Sequence, residues 1–90
     1  MAYFFDPYDA NFSGAPCLSY ERDGVLFYIC ASDESGSFEL GAISDGTPLC
    51  TFAEIDADAA AELAGRLFLL PRVPESQLKQ LRDAAMDYWA

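Results

Sequence analysis

The 90-residue chain contains no histidine. That removes Ser–His and Cys–His nucleophile pairs, histidine-ligated zinc, and the side chain that most often serves as a general base near neutral pH. No GxxxxGK[ST], GxGxxG or CxxC motif occurs either, so phosphate-cradling loops and dithiol chemistry lack their signatures. Catalysis would have to rest on carboxylates or a lone thiolate. The sequence therefore argues against an enzyme and gives no reason to expect a cofactor. Long hydrophobic runs are missing as well: Val25–Ala31 and Leu67–Leu70 are the longest, far short of the roughly 18 residues a membrane span needs. The opening MAYFFDPYDA has neither a basic start nor a long apolar stretch and does not read as a signal peptide. A cytoplasmic protein without membrane attachment is expected.

Cysteine is sparse and odd in number, at Cys17, Cys30 and Cys50. An odd count fits a reducing compartment better than a disulfide framework. A closed zinc site needs four ligands, two of them closely spaced; intervals of 13 and 20 residues without histidine do not match. The cysteines read as small buried hydrophobes in preference to a metal or redox site.

Positive charge is scarce as well. Five Lys and Arg stand against fifteen Asp and Glu, a net charge of −10. The imbalance is local: residues 1–60 hold eleven acids and one base, Arg22, whereas residues 61–90 hold four of each. Such asymmetry predicts an acidic face that repels nucleic acid and anionic membranes and attracts basic proteins.

What is present reads as one α+β domain over 1–90, an antiparallel sheet of about four strands followed by two C-terminal helices packed on one face. Residues 1–16 are aromatic-rich, with a short strand at Tyr3–Phe5 ended by a turn at Asp6–Pro7. Residues 17–53 hold two hairpins. Asp23-Gly24 between strand-like runs calls for a type I′ turn, which needs positive φ at both centres. That register pairs residues whose numbers sum to 47. Leu18, Tyr20, Val25, Phe27 and Ile29 then share the core side with Arg22, while Cys17 and Cys30 face each other on the other side at a non-hydrogen-bonded position. The second hairpin turns at Ser44–Gly46, with Phe38, Leu40, Ala42 and Leu49 on one side and Glu39, Ile43 and Cys50 on the other. Pro48 marks an edge strand or an interrupted ladder. From Asp56 the apolar period changes to 3.6, predicting a helix over 56–70 capped by Asp56. A second helix is predicted over 74–89, with Pro74 and Glu75 in its first turn and Leu78, Leu81, Ala85 and Tyr88 or Trp89 on its apolar stripe.

The stretch SDESGSFELGAISDG (residues 32–46) raises the question of calcium. An EF-hand counted from Asp33 would put Phe38 at position 6 and Ser44 at position 12, where glycine and a bidentate glutamate are required. No metal site follows. The acids Glu54, Asp56, Asp58 and Glu62 fit the first turn of a helix, where they meet the positive end of its dipole, although the same residues can also serve a contact patch. Among the aromatics, Tyr8 and Trp89 are the candidates for interface anchors.

The small size, the missing catalytic residues and the charge layout of Asp23, Asp33, Glu34, Glu39, Asp45, Glu54, Asp56 and Asp58 resemble small phage-encoded inhibitors of the anti-CRISPR and DNA-mimic kinds. The resemblance implies binding, without catalysis, to a basic nucleic-acid-handling protein or nucleoprotein complex, blocking its nucleic-acid groove or a subunit contact. Two alternatives stay open: an immunity or antitoxin protein that neutralises a basic toxin, and an acidic structural or adaptor domain whose charge serves solubility. Homodimerisation through an edge strand is also open.

Overall fold

A computed structural model describes residues 3–8, 14–31 and 37–89, leaving out the side chains of residues 63, 64, 67, 68 and 89. Five strands, β1 (Phe4–Asp6), β2 (Cys17–Arg22), β3 (Val25–Ala31), β4 (Phe38–Ser44) and β5 (Thr47–Ile55), precede two helices, α1 (Ala57–Phe68) and α2 (Glu75–Trp89). The strands form one antiparallel meander in the order β1-β2-β3-β4-β5. The architecture is α+β as expected, with five strands in the sheet instead of about four.

The β2–β3 hairpin has the expected register, from Leu18 opposite Ile29 to Arg22 opposite Val25. Its turn has φ of 53° at Asp23 and 79° at Gly24, and the β4–β5 turn repeats this with 50° at Asp45 and 76° at Gly46. Both are two-residue turns whose handedness matches strand twist. Leu18, Phe27 and Ile29 lie in the core with Phe38, Leu40 and Ala42 of β4, and Tyr20 and Val25 pack against them. Ala60 and Ala61 of α1, Leu78, Leu81 and Ala85 of α2, and Leu70 and Val73 between the helices close the core from one side. The helices thus cover a single sheet face, α1 against β4 and α2 against β2 and β3.

Three local expectations need correction. The first strand begins at Phe4, because the backbone N–H of Tyr3 donates to Gln77 Oε1 at 2.9 Å and its carbonyl accepts from Gln77 Nε2 at 2.6 Å. Both groups serve α2, so neither is left for the ladder. Second, Leu49 does not share a side with Phe38, Leu40 and Ala42. Pro48 faces Ile43 but Cys50 faces Ala42, so Leu49 is the extra residue of a bulge. Beyond it the faces swap: Cys50 packs against the core while Leu49 is 58% exposed. A second irregularity follows where Phe38 meets Ile55, and Glu54 there has φ of 58°. Pro48 is on an edge strand, as its missing donor requires. Third, the helices are a little shorter than predicted, 57–68 and 75–89.

Asp56 is the N-cap of α1, its Oδ1 accepting from the Ala59 N–H at 2.8 Å. The carbonyl of Pro74 accepts the first bonds of α2, from Gln77 and Leu78, so Pro74 stands just before the helix. Past the end of α1, Leu69 takes φ of 56° and is 80% exposed, a left-handed position that glycine more often fills. Among the described residues, no helix is long and apolar enough to cross a membrane.

Candidate functional site

The two Asp-Gly turns lie at the same end of the sheet, because Val25 beside one pairs with Ser44 beside the other. Asp23 and Asp45 are exposed there, and Glu21 is exposed on β2 directly opposite Leu26. Arg22, the one base of residues 1–60, points the other way. Its guanidinium donates to the Leu69 carbonyl at 3.0 Å and lies 5.4 Å from the centre of the Phe27 ring. The positive charge is thus used on the helix side of the sheet, and the hairpin tips carry only acids.

The other candidate residues are distributed over the opposite end and the flank. Glu54 and Asp58 are exposed, as is the capping residue Asp56. Glu39 is half-buried on the outer sheet face, its Oε2 accepting from the Tyr28 hydroxyl at 3.3 Å. Tyr28 covers Gly41, its directly paired neighbour: a Cβ added at Gly41 would overlap the hydroxyl end of the Tyr28 side chain. The tyrosine therefore occupies the space of the side chain that glycine lacks. Burial pushes the Tyr28 hydroxyl above its ordinary pKa, with Glu39 adding to the rise and a hydrogen bond with Thr51 opposing it. Tyr8 is 78% exposed beyond an Asp6–Pro7 turn in which its N–H donates to Asp6 Oδ1. Asp33 and Glu34 lie outside the described residues, as does the side chain of Trp89. The structure therefore brings Asp23 and Asp45 together and leaves Glu39, Glu54, Asp56 and Asp58 away from them.

The bases of residues 61–90 sit among acids. Arg66 and Arg72 both approach Glu62, at 3.8 and 3.5 Å, and Lys79 meets Asp83 at 3.0 Å. A cleft of about 350 Å³ between the helices is lined by Arg72, Lys79 and Arg82 but also by Asp58 and Glu75, so its charge is mixed. Among the described residues, no three Cys, Asp or Glu side chains gather as a metal site. Cys17, Cys30 and Cys50 stand as thiols, with Cys17 fully buried.

Three residues at the acidic end were absent from the sequence-derived candidates: Glu21, Leu26 and Ile43. The signal was available, since the register that sums to 47 already sets Glu21 opposite Leu26 on the outer face. Neither a protein-family model, nor a curated protein, nor a solved structure matches the chain.

Proposed function

We propose that this protein is a non-enzymatic, acidic binding protein that occupies a basic surface of a nucleic-acid-handling protein or complex and blocks it, in the manner of anti-CRISPR and DNA-mimic inhibitors. The observation that carries the reading is the disposition of charge at the hairpin end. Asp23, Asp45 and Glu21 are exposed there, while Arg22 is engaged with Leu69 and Phe27 on the far side of the sheet. Carboxylates held on rigid two-residue turns suit sites in which Lys and Arg select phosphates chiefly by negative charge. Exposed ion pairs contribute only about 0–1 kcal/mol each, so charge here serves on-rate and partner choice, and apolar contacts must supply the remaining affinity.

Capture from lysate on the immobilised protein, with a salt gradient and mass-spectrometric identification, tests the reading. Basic nucleic-acid-binding proteins should be retained at low salt, released steeply as salt rises through about 0.1–0.5 M, and displaced by competing DNA. Reversal of Asp23 and Asp45 to lysine should weaken capture at least tenfold with an unchanged circular-dichroism spectrum. Retention of no basic protein, or capture indifferent to salt and to both reversals, overturns the proposal.

A further inference from the structure

The two acidic turns bracket a notch on the sheet face turned away from the helices. Its floor is the cross-strand pair Leu26 and Ile43, both half-buried. Glu21, Gly24, Asp45 and Gly46 complete a lining that encloses about 340 Å³. Both turn glycines of that lining stand in open space, where an added Cβ would meet nothing within 4 Å.

We propose that this notch receives an arginine side chain of the basic partner, a reading that rests on the function proposed above. Leu26 and Ile43 offer an apolar bed for the methylene stem, which long cationic side chains bury while keeping their charge near water. The carboxylates of Glu21 and Asp45 flank that bed from two strands apart in the sheet. A guanidinium suits two separated acceptors better than an ammonium does, because its planar fork carries five donors and sheds water more readily. An anion is disfavoured by both carboxylates. Symmetric pairing of two notches is disfavoured too, since each is acidic and would oppose like charge.

The test is a titration of the ¹⁵N-labelled protein with acetyl-Gly-Arg-Gly-amide, followed by amide shifts. Saturable shifts are expected at Gly24, Leu26, Ile43 and Gly46. Affinity should be on the order of millimolar, as one exposed side chain allows. The citrulline peptide, of equal shape but neutral, should bind at least fivefold more weakly. Leu26→Ala tests the notch apart from its charge, because it removes half of the apolar bed at constant net charge; it should weaken the peptide at least threefold. Glu21→Gln, on an exposed residue, should weaken binding severalfold.

Shifts that spread over every acidic residue without saturation overturn the notch, as does peptide binding unaltered by Leu26→Ala. Basic-partner capture that is unaltered by Leu26→Ala while peptide binding weakens overturns the notch as the partner's site and leaves the proposed function standing. Arginine-peptide binding at the notch with no basic protein captured supports the notch and overturns the function.

Discussion

Tyr3 ties the start of the chain to its end. Besides the two bonds between its backbone and Gln77, its hydroxyl donates to the Pro71 carbonyl at 2.7 Å, and its ring lies 5.4 Å from that of Tyr20. Burial, with the Tyr20 hydroxyl second, pushes the Tyr3 pKa up to about 12. The unfolded chain binds the phenolic proton less tightly than the folded one, so above the ordinary value of 10.0 the unfolded state gains by losing it. Stability linked to Tyr3 is therefore complete below pH 10 and lost as pH rises towards 12. Urea midpoints measured across pH 8–12 should fall in that window, and Tyr3→Phe should flatten the fall. An unchanged alkaline slope in the variant would show that the linkage lies elsewhere. Nothing in the sequence around Tyr3 announces this role, because its partners Gln77 and Pro71 are remote in the chain and no short-range pattern joins them.

At the scale of elements, the ends of α1 contrast. Asp56 at its start is a capping residue legible from sequence, since an aspartate ahead of an alanine-rich period-3.6 segment has one strongly favoured place. Leu69 past its end is not legible as a left-handed residue: that conformation is imposed by the chain turning back so that Leu70 and Val73 enter the core. Leu69→Gly should remove the backbone strain while keeping the carbonyl that Arg22 grips, raising stability by about 1 kcal/mol. For a domain of this size that is roughly 4–8 °C in the thermal midpoint; a lowered midpoint would mean that the exposed leucine contributes packing worth more than its strain. The bulge at Leu49 escaped the sequence for a related reason. Alternation along TPLCTF fits either register, and only pairing with β4 decides which of Leu49 and Cys50 turns inward. The β2–β3 hairpin, by contrast, was readable down to individual pairs, because Asp-Gly permits a single tight turn and so a single register.

For the molecule as a whole, a charge of −10 on a body with a radius of gyration of 11.8 Å implies self-repulsion that added salt will screen. Raising sodium chloride from about 0.01 to 0.5 M, which shortens the screening length from about 30 Å to a few ångström, should raise the thermal midpoint by several degrees in scanning calorimetry. A midpoint indifferent to salt would indicate that the acids are already compensated within the fold. The sequence conveyed the sign and the asymmetry of this charge correctly, and it identified Asp23 and Asp45 as turn acids. It did not convey that they share one end of the sheet with Glu21, because that proximity depends on the pairing of β3 with β4. Nor did it show where Arg22 reaches, since Leu69 lies 47 residues away.

The edges of the sheet constrain how such a molecule can be held. β1 is only three residues long, and β5 carries Pro48 and two shifts of register. Among the described residues, neither edge offers a visiting strand an uninterrupted row of backbone donors and acceptors to continue. If the molecule binds a partner as proposed, side chains would carry the selection more than a readiness to extend the sheet. Blunt edges on so highly charged a domain thus discourage indiscriminate strand-to-strand adhesion.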